Sequence, residues 1–270
     1  MAKSSTDYNH IGQSSVTACG GRLSREFFAR DGITVARELL GKILVHETSL
    51  GTVRGIITET ESYMGEEDKG SHTYGGKRTE RTEPMYHQGG TSYVYLIYGM
   101  YSCMNIAAMV EGIPQAVLLR KVEPADEESR ERMEQLRRAK KPGQNPESIR
   151  RHLADGPGKM CIAMEITRQD NDIDMVKSPS FYVTEGINVL PEQIQEGKRI
   201  GIDYAEEAAD YLWRFIYEFT FLLRTVRCRK EQAAVSGNHG AFAESTKEEF
   251  SDHRTGSVHH ADPEGFDDAS

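Results

Sequence analysis

A mixed α+β domain is predicted by three features of the sequence. Short β-branched and aromatic runs alternate with short helical patterns, one aromatic stretch turns back on itself at a glycine, and 37% of the 270 residues are hydrophobic, enough to close a core. Length alone allows one large core or two small ones. The expected organisation is a flexible segment at 1–22, one domain at 23–228, and an unstructured tail at 229–270 that carries four basic against nine acidic residues.

The elements follow in order. The first twenty-odd residues are rich in Ser, Gly and Thr without periodicity, so order begins near Leu23, with Ser24 capping a short helix through Phe28. A second helix starts at Thr34 and stops at Gly41, and an alternating run at 42–46 then reads as a strand. The segment 53–62 is rich in β-branched residues, and a period of two puts Val53, Ile57, Glu59, Glu61 and Tyr63 on one face. Two aromatic runs within 92–108 flank Tyr98-Gly99-Met100-Tyr101, a hairpin with Tyr98 near its tip. A strand at 116–122 stops at Pro124, and 126–141 begins acidic and ends basic, as a surface helix should. A helix at 159–166 follows Gly156-Pro157-Gly158, and further strands are expected at 181–184 and 199–202.

Charge and cysteine content narrow the function. A net charge of -9 argues against a nucleic-acid binder as a bulk property, but 130–152 holds eight basic residues against three acidic ones, a face that DNA can meet. No window approaches the 18 or so apolar residues of a membrane span, and 1–18 lacks the apolar stretch of a signal peptide, so a soluble intracellular protein is expected. Cys19, Cys103, Cys161 and Cys228 are too scattered for a zinc or redox motif and read as reduced thiols.

Several residues invite chemistry, each with a plainer alternative. Glu61 at a strand end suits a general base for water, although such a Glu is usually solvated or salt-bridged and Glu59 competes for the role. Tyr93, Tyr95 and Tyr101 read first as cross-strand packing, whereas Tyr98 at a hairpin tip has little core to enter and matches the side chains that wedge into a base stack. His72 alone is weak, and Asn105 is a sheet residue by default. Arg120 in an apolar strand must find an anion or acceptors. Lys77, Arg78 and Arg81 after Gly75-Gly76 form a basic loop that grips phosphate or is merely solvated. Gly156-Pro157-Gly158-Lys159 lacks the second glycine and the Lys-Ser/Thr pair of a phosphate loop.

Taken together, Glu59-Thr60-Glu61-Ser62-Tyr63, then His72 with Gly75-Gly76, then the run from Tyr93 through Tyr98-Gly99-Met100-Tyr101 to Asn105, then Val117-Leu118-Leu119-Arg120, resemble the alkyladenine (3-methyladenine) DNA glycosylase family in order and spacing over about 23–215. The resemblance implies a curved, largely antiparallel sheet with a DNA-inserting hairpin. It implies that Glu61 is the general base and that Arg120 helps hold the water and the substrate backbone. Tyr63, His72 and Tyr95 would line the base pocket, Asn105 would obstruct the exocyclic amino group of normal guanine, and Tyr98 would fill the gap left by a flipped nucleotide. Lys77, Arg81 and Met85 fall where the family touches DNA.

The implied reaction is monofunctional hydrolysis of the N-glycosidic bond of 3-methyladenine or 7-methylguanine, with hypoxanthine and ethenoadenine as further candidates, in duplex DNA. No metal or cofactor is expected, and a monomer is, cytoplasmic and nucleoid-associated in a bacterium or nuclear in a eukaryote. A catalytically weakened damaged-DNA-binding protein is the alternative, because the chain departs from the family after Trp213-Arg214-Phe215 and leaves the final strand in doubt.

Overall fold

The computed structural model describes residues 20–218. The expected tail at 229–270, most of the segment at 1–22, and Cys19 and Cys228 lie outside the described residues. Short helices α1 (Arg25–Phe28) and α2 (Gly32–Glu38) lead into β1 (Ile43–Thr48) and the long strand β2 (Gly51–Tyr63). Next come α3 (Glu83–Tyr86), the hairpin β3 (Ser92–Ile97) and β4 (Tyr101–Ala108), β5 (Gln115–Pro124), and helices α4 (Glu127–Lys140), α5 (Pro146–Arg151) and α6 (Pro157–Ala163). Strands β6 (Phe181–Thr184), β7 (Ile194–Gly197) and β8 (Arg214–Tyr217) complete an α+β domain. No helix among the described residues is long and apolar enough to cross a membrane.

All strand pairs are antiparallel, in the order β3-β4-β5-β2-β1-β6, with β8 joining β2 to β7. At 13 residues β2 is long enough to serve two partners in turn on one edge, β1 against 51–56 and then β8 against 59–61, while β5 runs along the other edge. This exchange of neighbours curves the sheet. Helices α2, α4 and α6 cover one face of β2, β4 and β5 and share with it a core that includes Val35, Leu39, Val53, Ile57, Met104, Leu119, Met133 and Met160. The opposite face of β3, β4, β5 and the second half of β2 is left for a cavity.

The single-face pattern expected along β2 is broken midway. Pairing with β5 is irregular between Ile57 and Thr60, opposite Leu119 to Val122. Before this point Val53 and Ile57 face the helices, together with Val122. Beyond it Thr60 faces them, donating to the Ala36 carbonyl at 2.8 Å, as do Val117 and Leu119 of β5. A bulge turns a strand's alternation over. Here both strands turn over at the same place, so Glu59, Glu61 and Tyr63 share the free face with Ala116, Leu118 and Arg120, whereas Val53 and Ile57 do not.

Other boundaries moved for local reasons. Helix α2 begins two residues before Thr34 because the Asp31 carboxylate accepts from the Thr34 N–H at 3.0 Å, and it ends at Glu38, short of Gly41. Helix α4 has the expected Asp126 cap, accepting from Ser129 N–H, but it buries Met133, Leu136 and also Glu134 and Arg137. Helix α6 starts at Pro157, a residue suited to a first turn, two before the expected start. The strand expected at 199–202 is a loop, and β7 lies upstream of it. Arg199 there is drawn into a buried pair with Asp68, and Ile200 donates its N–H to the Glu61 carboxylate instead of to a neighbouring strand. The final strand left in doubt is formed as β8, pairing Thr60 with Phe215.

Candidate active site

The free face of the sheet forms the floor of a cavity of about 460 Å³, a size suited to a small ligand. Tyr93 and Tyr95 reach it from β3, Cys103 and Asn105 from β4, and Ala116, Leu118 and Arg120 from β5. Tyr63 closes one side, Ser71, His72, Arg81 and Met85 another, and Ile200 to Ile202 with Tyr204 a third. Tyr98 stands at the mouth on the hairpin turn and is 85% exposed. Tyr98 and Gly99 both take positive φ, 51° and 68°, and Met100 N–H donates to the Ile97 carbonyl, the turn geometry that matches strand twist. A non-glycine residue held in this conformation and exposed to water serves no packing purpose.

The aromatic wall is tightly organised. His72 and Tyr95 meet edge to face at 4.7 Å between centroids, Tyr93 and Tyr95 lie 5.3 Å apart, and His72 Nδ1 is 2.9 Å from the Tyr93 hydroxyl. Burial, reinforced by the Arg81 cation, lowers the His72 pKa to about 4, so its imidazole is neutral at neutral pH. Burial likewise pushes Tyr93 up to about 12 and Tyr95 higher still. The Arg81 guanidinium lies over the Tyr95 ring at 5.1 Å. Asn105 is buried, and its amide donates to the Tyr93 carbonyl at 3.1 Å.

Behind Tyr63 lies the acid. Glu61 is fully buried, with Oε1 accepting from Ile200 N–H at 2.9 Å and lying 3.2 Å from Arg120 Nη1, and with Oε2 accepting from the Tyr63 hydroxyl at 2.9 Å. Desolvation raises its pKa above the ordinary carboxylate value, although Arg120, the Ile200 amide and Tyr63 all favour the ionised form. Glu59, the competitor for a catalytic role, is held instead by Arg120 Nε and Arg214 Nη1, both at 3.0 Å. Arg120 therefore finds the anions that its apolar strand requires, bridging Glu59 to Glu61.

Of the residues singled out from the sequence, Tyr63, His72, Arg81, Met85, Tyr95, Tyr98, Asn105 and Arg120 line this cavity. Glu61 sits directly behind it, and Met85 is buried in its wall beside Tyr93 and Ala116. Lys77 is exposed and does not line it. Arg78 is tied to Glu83 through two nitrogens, at 2.6 and 2.9 Å, which removes it from the free basic loop. Sequence reasoning missed Ile200, Tyr204 and Arg199. Arg199 is fully buried, pairs with both Asp68 oxygens, and lies 4.8 Å from the Tyr63 ring and 5.0 Å from Trp213, so it braces the Tyr63 wall from behind. The glycine within Arg199-Ile200-Gly201-Ile202 was the one sequence signal that this segment leaves the sheet as a loop. Among the described residues no group of three His, Cys, Asp or Glu side chains is arranged to hold a metal ion.

Comparison with known proteins agrees with this geometry. The model of the methylpurine-DNA glycosylase family matches residues 26–219. A protein of Clostridium acetobutylicum named "Putative 3-methyladenine DNA glycosylase" is 51% identical over 194 residues, 72% of this chain and 93% of the relative. Proteins bearing the same name in Desulfitobacterium hafniense and Clostridium perfringens are 49% and 46% identical over 73% and 72% of this chain and 95% and 94% of their own. With most of the described domain inside the match and the cavity built on its strands, the chain belongs to the methylpurine-DNA glycosylase family.

Proposed function

We propose that this protein is a monofunctional DNA glycosylase that removes alkylated purines, 3-methyladenine and 7-methylguanine among them, from duplex DNA. The observation that carries the reading is the coincidence, at one cavity, of an exposed aromatic wedge at the mouth, an aromatic wall within, and a carboxylate–arginine pair at the back. A base inside a duplex cannot present its sugar carbon and must be rotated out, at a cost of a few kcal/mol. Stacking on aromatic side chains returns roughly 1–3 kcal/mol per contact, so Tyr63 and Tyr95 offset much of that cost while Tyr98 fills the vacated stack. Damaged pairs open more easily, which adds selectivity.

Hydrolysis then requires a water oxygen to bond to the sugar C1′ as the glycosidic bond breaks, its electrons leaving with the base and the water proton passing to Glu61. Among the described residues Glu61 Oε2 accepts only from the Tyr63 hydroxyl and keeps a lone pair for the water, which must pass the Tyr63 side chain to reach the fully buried carboxylate. Arg120 favours the ionised carboxylate and orients it, and Asn105, buried against Tyr93, rejects the exocyclic amino group of guanine. Among the described residues no lysine lines the cavity, which supports hydrolysis without an amine nucleophile and hence without strand cleavage.

The test is a single-turnover assay of wild type and Glu61→Gln on duplexes carrying 7-methylguanine or hypoxanthine, scoring abasic sites. Release by wild type, reduced about 10²- to 10⁴-fold in Glu61→Gln with lesion binding retained, is expected. Full activity in the variant would sink the role of Glu61. The sealed carboxylate is the one feature that favours a second reading, a damage-binding protein, which predicts lesion binding with no release by the wild type.

A further inference from the structure

Helix α4 and the residue after it carry six basic side chains; Lys140 is exposed and makes no ion pair among the described residues, and the other five fall into two groups. Arg130, Arg132 and Arg138 are neutralised by Glu127, Glu128 and Glu134. Arg137 is not. It is only 3% exposed, its Nε is buried without a hydrogen-bond partner, and its side chain makes no hydrogen bond or ion pair among the described residues. The carboxylate that acts on it electrostatically is Asp155, whose oxygens are already taken by Lys159 at 2.8 Å and His152 at 2.6 Å. Buried arginines are normally held by several acceptors, because an unpaired cation out of water is expensive.

One helical turn further, on the same face, Lys141 Nζ lies 3.1 Å from the Tyr101 hydroxyl and 5.3 Å from its ring centre, again with no carboxylate. Tyr101 also lies within electrostatic range of Arg137. It begins β4, three residues after Tyr98, and its ring and Cβ pack so closely on Gly158 that a Cβ there would fall 3.2 Å away. Pro157, the next residue back, lines the cavity. Two uncompensated cations and a hydroxyl therefore gather at the root of the hairpin whose tip stands at the cavity mouth.

We propose that Arg137, Lys141 and Tyr101 form a subsite for one backbone phosphate of the DNA strand that passes the hairpin. A phosphodiester supplies what the cluster lacks: several strong acceptors for a guanidinium fork, a counter-charge for an ammonium, and an acceptor for a phenol. An acidic protein segment would match the charge, but the cluster adjoins the cavity that takes the nucleotide, and the phosphate of the same substrate reaches it without a further partner. The subsite rests on the glycosylase reading of the cavity.

The experiment is a salt titration of binding to a duplex carrying one uncleavable abasic-site analogue, read by fluorescence anisotropy, for wild type, Arg137→Met and Lys141→Met. Each phosphate contact contributes about 0.9 to the slope of log affinity against log salt. Each variant is expected to lose about that much slope and to bind several-fold more weakly at low salt. The thermal midpoint of Arg137→Met should equal or exceed that of wild type, since the side chain removed has no partner to strand. Unchanged slopes in both variants overturn the subsite, as does a lowered midpoint of Arg137→Met with its slope intact, which would make the residue structural. Exposed Lys141 keeps the test decisive if Arg137→Met fails to fold. A wild type that binds with the full slope yet releases no base from a 7-methylguanine duplex removes the glycosylase reading and leaves the subsite standing.

Discussion

Glu61 shows how far a single residue could be read ahead of its surroundings. Its place beside Tyr63 follows from two-residue alternation, and its company with Arg120 follows from the need of a cation in an apolar strand for an anion. Its sealing does not, because the Ile200 amide that completes it comes from 139 residues away. The same contacts set its titration. His72 titrates near 4, below the raised Glu61 pKa, so the fall in base release on acidification should follow Glu61 first. Tyr63 donates to the ionised carboxylate and holds its pKa down. Tyr63→Phe should therefore move the acidic limb of the single-turnover pH–rate profile to higher pH, in addition to any loss of rate, whereas His72→Gln should leave its midpoint in place. A limb that follows His72 would assign the proton transfer elsewhere.

At the scale of elements, strands and hairpin were legible because alternation and turn chemistry are local. Helix α3 and helix α5 went unread, since runs of four and six residues with Pro in the first turn carry too little periodicity to stand out. The loop after β7 was misread as strand because Arg199-Ile200-Gly201-Ile202 alternates like one. What decides its course is the Arg199–Asp68 pair, buried on both sides, with further donation from Arg199 to the Ser62 and Ala208 carbonyls. Asp68→Ala leaves that guanidinium uncompensated and should destabilise the fold by about 3–5 kcal/mol, as measured by denaturant unfolding. It should also release Ile200 from Glu61 and lower the rate of base release. A loss of stability below about 1 kcal/mol would show that the pair does not anchor the loop.

Across the whole molecule, two histidines pull the pH dependence of stability in opposite directions. His72 titrates near 4 in the folded protein against an ordinary 6.5, so the unfolded chain takes up the proton first and stability falls as pH drops from about 6.5 to about 4. For His46, burial opposes the charge, but the Asp170 carboxylate and the Met164 carbonyl outweigh it and raise the pKa, so its contribution is present below about 6.5 and is lost as pH rises through the raised value. Thermal midpoints measured against pH should lose less on the acid side in His72→Gln and less on the alkaline side in His46→Gln. If neither substitution alters its limb, other groups govern both. The bulk charge of -9 bears on none of this, being a sum over a chain in which most cations of the described domain already have partners.

The turnover of faces halfway along β2 and β5 has a further bearing on how the protein can change. In most sheets one side of a strand can drift while the other is held, so packing and chemistry vary under separate pressures. Here the same dozen residues pass from one duty to the other within a single bulge: Ile57 fills the interior, and Glu59, two positions later, belongs to the charged constellation. A methyl group lost at Ile57 is a disturbance two peptide units from the carboxylates, and a one-residue deletion in the bulge would carry Glu61 into the oil. Repacking for heat resistance and tuning for a new lesion are, in this stretch, a single problem.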